Sequence, residues 1–304
     1  MRLASVSIDL DELHQYYRIH GLAEPARGLH GVYDAALPRA LEWARAEGVP
    51  LTFFAIGSDL ERPANAASLR RACEAGHEVG NHSYSHHYDL TLRERREMAR
   101  EVEAGAAAIE RATGTRPSGF RAPGYLVNDE LIDVLCAAGV AYDSSVFPCP
   151  PYYLAKAAKL LGMRLRGRTS RSVRGSSSVL LAPTRPYRAG KPYWCPGDRL
   201  LELPVQVTPG ARLPFIGTTL VLAGADATRL LTRTLLVEPF VNLELHGIDF
   251  LGRDDDVAPL APYQPDARLP LARKLAALTA AVELLRKFDF TFVRLDEAAR
   301  EYVS

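Results

Sequence analysis

The chain has 304 residues, 47% hydrophobic and 24% charged, enough for one large core, and length alone leaves two domains or one α/β barrel open. A formal net charge of +1 argues against nucleic acid as a global partner, and no apolar run reaches the roughly 18 residues of a membrane span. Four cysteines (Cys73, Cys136, Cys149, Cys195) without a C-x-x-C pair read as free thiols, and the apolar start is too short for an export signal, so a cytoplasmic protein is expected.

Short strand-like runs alternate with helical ones, the pattern of a mostly parallel α/β sheet. Residues 3–8 form a first strand that ends at Asp9 and Asp11. A helix over 33–47 carries Ala, Leu and Trp on one face and stops at Gly48. Residues 50–56 read as a buried strand, 64–75 as a helix and 78–80 as a short strand. The run Asn81-His82-Ser83-Tyr84-Ser85-His86 follows and is expected to open a helix. A long helix over 91–113 has Thr91 as its cap, Glu94 in the capping-box position and Gly114 as its stop. Further strands are expected at 119–121, 141–143, 200–207, 240–246 and 290–294, with helices over 129–138 and 269–287. Neither a repeat nor a linker is visible, which favours one domain over 1–304.

One stretch departs from this pattern. Residues 144–197 hold no acidic residue and no histidine, but ten cations: Lys156, Lys159, Arg164, Arg166, Arg168, Arg171, Arg174, Arg185, Arg188 and Lys191. Its first part, 152–166, reads as an amphipathic helix with Tyr, Leu and Met beside its cations. The Gly/Ser/Pro-rich remainder is expected to be a long basic excursion.

On a helix, His82 and His86 would share one face, one turn apart, and form a bidentate clamp for a divalent ion such as Zn2+. A hydrolytic centre needs a third ligand. Asp9 and Asp11, two apart at a strand end, can share a face and divide the work. One would ligate while the other stays free to take a proton from the attacking water.

In chain order, Ser7-Ile8-Asp9-Leu10-Asp11, Thr52-Phe53-Phe54, the block from Gly76-His77-Glu78 to Asn81-His82 and His86, Arg121-Ala122-Pro123-Gly124-Tyr125, and Leu243-Glu244-Leu245-His246 resemble the polysaccharide deacetylases, carbohydrate esterase family 4. The similarity runs from residue 3 to about 300. It implies a distorted (β/α) barrel of about seven parallel strands, with a metal at the C-terminal mouth of the strands, where barrel enzymes place their sites. It further implies that Asp9 is the general base and that Asp11, His82 and His86 hold one divalent ion, most readily Zn2+. By the same resemblance the Gly124 N–H helps hold the oxyanion, Arg121 orients Asp9, and His246 is the general acid. Leu10 separates the two aspartates, as in the family's intracellular branch, so Asp9 and Asp11 could exchange roles. The family's tryptophan-bearing motif has Trp194 and Leu201-Glu202-Leu203-Pro204 as its nearest candidates. Asp249 would either tune His246 or cap a helix.

Other candidates have plainer readings. On a helix His87 would point about 100° from His86 and serve packing. His77 reads as a hydrogen-bonded structural residue, and His14, His20 and His30 as loop residues overhanging the mouth. Tyr125 would line the pocket or merely turn the chain; Phe53 and Phe54 belong to the core. The basic stretch, over 152–191, would meet a membrane surface or an anionic phosphate, or else form a solvated lid. The expected function is a metal-dependent hydrolase that removes an N-acetyl or N-formyl group from an amino sugar, on a lipid- or nucleotide-linked precursor. Its rivals are a cyclic amide or ureide hydrolase and a noncatalytic glycan-binding protein.

Overall fold

The computed structural model describes residues 1–25, 28–173 and 175–303. Arg174, one of the ten cations, lies outside them. In chain order the strands are β1 (Arg2–Asp9), β2 (Leu51–Ala55), β3 (Glu78–Asn81), β4 (Gly119–Phe120), β5 (Tyr142–Asp143), β6 (Tyr187–Ala189), β7 (Pro196–Glu202), β8 (Phe240–His246) and β9 (Phe290–Phe292). The α-helices are α1 (Leu13–Ile19), α2 (Leu37–Glu47), α3 (Pro63–Glu74), α4 (Arg95–Thr113), α5 (Asp129–Ala137), α6 (Pro150–Leu165), α7 (Gly217–Ala223), α8 (Ala225–Thr234), α9 (Leu271–Lys287) and α10 (Leu295–Val303).

The strands form one curled sheet in the order β6-β7-β5-β4-β3-β2-β1-β8, with β9 on the first residues of β1. All these pairings are parallel except the β6–β7 hairpin. This is the expected distorted barrel. β1, next to last in this order, pairs with β2, β8 and β9 and is buried almost end to end, as a strand covered on both faces must be. Its alternation sorts the two faces. Val6 and Ile8 join the apolar layer under the helices, whereas Ser7 and Asp9 turn inward. β8 repeats the pattern, with Val241, Leu243 and Leu245 outward and Asn242, Glu244 and His246 inward. Toward the C-terminal ends of these strands the barrel interior is therefore polar, and its groups must satisfy one another, whereas Leu3 and Phe240 at the opposite ends join an apolar cluster with Phe54.

No ladder joins β7 to β8 among the described residues. The seam between them is closed by residues 203–207 and by amides. The Gln206 N–H donates to Asn242 O at 3.1 Å, and the Asn242 side chain donates to Ser144 Oγ, Leu203 O and Pro204 O at 3.0–3.1 Å. The expected strand over 200–207 accordingly ends at Glu202, since the residues after it leave the β5 ladder to fill this gap.

Two helix boundaries differ from expectation. α4 starts at Arg95, not Thr91; a 3-10 turn over Leu90–Leu92 precedes it, and Glu94 stands at the N-cap without a side-chain bond. The Thr91 carbonyl is spent on the Asn128 side chain. The helix expected from residue 33 begins with a π-turn over Val32–Ala36 before α2, and Gly48 ends it in the left-handed region at φ 62°. Within the basic stretch α6 forms as expected. The Gly/Ser/Pro-rich part is tied back to the barrel: Val179, Ala182, Tyr187 and Tyr193 bury against α5 residues Leu131 and Leu135.

Replacing Asn242 with Leu strands Pro204 O and leaves Leu203 O and Ser144 Oγ with one donor each, from Ser144 and Arg121. We expect Asn242→Leu to cost about 1–3 kcal/mol, read as a lower denaturant midpoint at unchanged m-value.

Candidate active site

Each candidate side chain leaves the C-terminal end of a parallel strand. Asp9 ends β1 and His246 ends β8, and the two are register partners. His82 follows β3, and Arg121 follows β4.

His82 and His86 meet, but not on a helix. The backbone of 82–86 bonds sideways: the His82 N–H donates to Ala55 O, while Ser83 O and Tyr84 O accept from Gly57 and Ser58. Carbonyls spent this way are unavailable to a helix. Ser83 (φ 63°) and His86 (φ 53°) instead take left-handed conformations, and Ser83 Oγ accepts the His86 N–H at 3.1 Å. α4 clamps the loop from behind. Asn81 donates to Val102 O at 2.8 Å, and Glu101 accepts from Ser85 N and Oγ at 2.7 and 2.9 Å. Gly105 of α4 lies so close that a Cβ there would meet the Ser83 carbonyl carbon at 2.9 Å. The helical argument for His87 falls, but not its packing role: its half-exposed ring has Nε2 3.7 Å from Glu101, the residue that clamps the loop.

The two imidazole Nε2 atoms are 3.2 Å apart, and Asp11 Oδ1 lies 3.3 Å from that of His82 and 3.1 Å from that of His86. Nδ1 of His82 donates to Arg121 O at 2.7 Å, so its Nε2 presents a lone pair. Asp11 Oδ1 is buried without a hydrogen-bond partner among the described residues. Three lone-pair atoms on edges of about 3 Å are the donor face of a divalent ion bound at about 2.0–2.2 Å. The residues present fit such an ion. Burial would raise the Asp11 pKa, but the two imidazoles hold it well below the usual carboxylate range; burial lowers that of His86 and favours the neutral ring a ligand needs.

Asp9 stands beside this triangle. Its Oδ2 is 3.8 Å from His82 Nε2, and its Oδ1 accepts from Arg121 Nη1 at 2.7 Å. The fully buried Arg121 guanidinium also donates to Ser7 Oγ, Ser144 Oγ and Ser144 O and stacks on Phe54 at 4.2 Å. Gly124, at φ 65°, lines the same cavity.

His246 has a partner that the sequence reading passed over. Glu244, fully buried, places Oε1 2.8 Å from His246 Nδ1. Burial alone would lower the His246 pKa; Glu244, then Asp9 and Asp11, raise it well above its ordinary value. The signal was present, since residues two apart on a strand share a face. Asp249 acts as a cap, its Oδ2 accepting the His246 N–H at 2.9 Å.

These groups open onto a cavity of about 570 Å³ walled by α6, Tyr16, Tyr88 and Tyr125. Trp194 packs on Tyr193 beside the apolar cluster around α5, and Leu201 and Leu203 are buried with Leu3, Phe54 and Phe240, so neither tryptophan-motif candidate lines it. His77 accepts the Leu51 N–H at 3.0 Å, as a structural residue does, and His20 bonds Gln264. His14 bonds its neighbour Gln15, and His30 lies at a separate groove near Leu13.

His82→Ala and His86→Ala should each weaken divalent-ion binding by at least about 100-fold, read as metal content after dialysis. In Glu244→Gln the pKa of His246, followed by NMR titration, should move down, because the charge that holds the imidazolium is gone.

Residues 31–142, which carry His82, His86, Arg121 and Gly124, match the family model for polysaccharide deacetylase. A peptidoglycan deacetylase from Helicobacter pylori is 27% identical over 161 residues, which is 50% of this chain and 53% of that protein. A chitooligosaccharide deacetylase from Sinorhizobium fredii is 34% identical over 106 residues, 34% of this chain and 47% of that one. The matched stretch thus spans about half the length of either relative. Among solved structures, a provisionally assigned polysaccharide deacetylase from Mycobacterium smegmatis superposes with a TM-score of 0.60 at 20% identity, covering 99% of this chain and 90% of that one. Over residues 31–142 the chain thus resembles the polysaccharide deacetylases, and along almost its whole length it shares the fold of the Mycobacterium smegmatis structure.

Proposed function

We propose that this protein is a metal-dependent hydrolase that removes an N-acetyl or N-formyl group from an amino sugar. The observation that carries this reading is the convergence on one cavity of the Asp11–His82–His86 triangle, the Arg121–Asp9 pair and the Glu244–His246 pair. The relatives named above, by their names, deacetylate peptidoglycan and chitooligosaccharides, which supports N-deacylation of a sugar.

Asp11, His82 and His86 would hold the ion, and their N2O donor set favours Zn2+. Bound there, a divalent ion polarises the acyl carbonyl and acidifies water. Asp9, with one oxygen fixed by Arg121, keeps the other free to take a proton from the attacking water. The Gly124 N–H donates to the carbonyl oxygen as negative charge gathers on it, worth about 3 kcal/mol for a well-placed donor. His246, kept protonated by Glu244, hands its proton to the departing nitrogen, which could not leave as an anion. Tyr16 and Tyr125 line the cavity with hydroxyls that have no partner among the described residues, and these suit sugar hydroxyls.

A lipid- or nucleotide-linked precursor met on the cytoplasmic side, with the protein peripheral at the membrane, is the finer form of this proposal; the basic stretch over 152–191 supports it. No helix among the described residues is long and apolar enough to cross a membrane. A cavity of about 570 Å³ exceeds the needs of a small cyclic amide, so the sugar reading is preferred. A purely glycan-binding role would leave both proton-handling pairs without a purpose.

The purified protein should carry one divalent ion by elemental analysis and release acetate or formate from a panel of N-acylated amino sugars, with chelator abolishing release and Zn2+ restoring it. Bound metal with turnover of cyclic amides alone would overturn the sugar reading. Asp9→Asn should keep the ion and lose about 10²–10⁴ in kcat. Loss of the ion from Asp9→Asn but not from Asp11→Asn would exchange the two roles.

A further inference from the structure

α6 covers the cavity with one face, turning Tyr152, Lys156, Lys159, Leu160 and Met163 toward it at helical spacing. Lys156 is the anomaly on that face. Its Nζ is buried and has no hydrogen-bond partner among the described residues. It lies 3.9 Å from where a Cβ on Gly124 would stand and 5.9 Å from the centroid of the Tyr152 ring, so the ammonium faces the turn proposed to hold the acyl oxygen. Other buried cations here have a carboxylate: Arg121 has Asp9, and Lys274 has Asp266. No such group acts on Lys156, and burial alone brings its pKa down, to about 8. Nor does its own segment offer an acid anywhere from 144 to 197. A buried ammonium without a counter-charge is costly to keep, and a ligand that brings the charge removes the cost. Lys159, one turn further along α6, lines the same wall and reaches solvent.

We propose that Lys156, with Lys159 behind it at the rim, is a subsite for a phosphate group carried by the substrate beside the sugar that presents the amide. The proposal rests on the deacylase reading of this cavity and deepens it. Two ammonium groups on one wall match a phosphate ester or diphosphate, which carries more than one negative charge, and a flexible ammonium binds phosphate as a point charge. A neutral glycan polymer offers Lys156 nothing. The phosphate can belong to a soluble sugar nucleotide or to a lipid-linked sugar. Leu154, Leu161 and Leu165 are 72%, 59% and 79% exposed on α6, near Arg164 and Arg166, so the lipid-linked source has to be presented on vesicles.

The test is calorimetric binding of N-acetylglucosamine 1-phosphate, N-acetylglucosamine and N-acetylmuramic acid to the full-length wild-type protein and to Lys156→Met and Lys156→Arg. The wild type should prefer the phosphate by at least about ten-fold over the neutral sugar; Lys156→Met should abolish the preference and Lys156→Arg recover most of it. Equal affinities in the wild type, or a preference that survives in Lys156→Met, overturns the subsite. A carboxylate sugar that binds as tightly as the phosphate overturns the assignment to phosphate. Binding is read without turnover, so a Lys156-dependent preference without acyl release would sink the deacylase reading and leave the subsite standing. For the source, kcat/KM is compared between a nucleotide-linked N-acetyl sugar in solution and the same sugar on polyprenyl diphosphate in phosphatidylglycerol vesicles. The better of the two identifies the source, and its advantage over the neutral sugar must fall about ten-fold in Lys156→Met; an unchanged advantage refutes the proposal.

Discussion

The structure depends on one buried guanidinium. Arg121 is wholly enclosed, and each of its three nitrogens donates: Nη1 to Asp9, Nη2 to Ser7 and Ser144, and Nε to the Ser144 carbonyl, with Phe54 beneath its plane. Such a charge is tolerable in a barrel interior only when fully satisfied. Satisfying it requires three separated parts of the chain at the same depth: the end of β1, the end of β4 and the turn after β5. The backbone of the same residue accepts from His82, so the side chain that aims the proposed base and the carbonyl that fixes a proposed metal ligand move as one body. Base and ligand are thereby held to a common origin, as a hydrolytic site needs its groups placed to within about 0.5 Å.

The polar interior explains why the strands alternate although both faces are covered. Outward residues of β1 and β8 meet the helices, while inward ones, beyond the apolar Leu3 and Phe240, carry hydroxyls, amides and carboxylates that end at the cavity floor. Ser7 and Asp9 on one strand, with Asn242, Glu244 and His246 on its neighbour, form two parallel polar tracks in register. Chemistry emerges at their upper ends because there the inward groups run out of partners within the barrel.

Much of this was legible in the sequence. The alternation of short apolar runs with helical patterns gave the parallel sheet, and most strands lie within a residue or two of their expected places. The candidate residues were legible through their motifs: Asp9, Asp11, His82, Gly124 and His246 line one cavity, with His86 against His82 and Arg121 against Asp9. What misled was local periodicity. A spacing of four between His82 and His86 matches a helix, but the structure reaches the same juxtaposition with two left-handed residues and backbone bonds to the chain after β2, a long-range arrangement that no window of sequence contains. Glu244 escaped notice because it sits in an apolar strand pattern, where its carboxylate signified nothing until the barrel closed around it. The orphan state of Lys156 was equally invisible, since a lack of partners is a property of packing.

The seam between β7 and β8 has a consequence for how the molecule moves. The ladders of the sheet are uneven, with seven register pairs between β1 and β8, four between β1 and β2 and one between β3 and β4. At the seam a few amide contacts and one isolated bridge, Ile216 to Glu244, do the same work. Local opening takes the route with fewest bonds to break. Where the wall parts at this seam, Glu244 carries the bridge, so slow fluctuations there would be felt at His246 before they reach the ligand triangle.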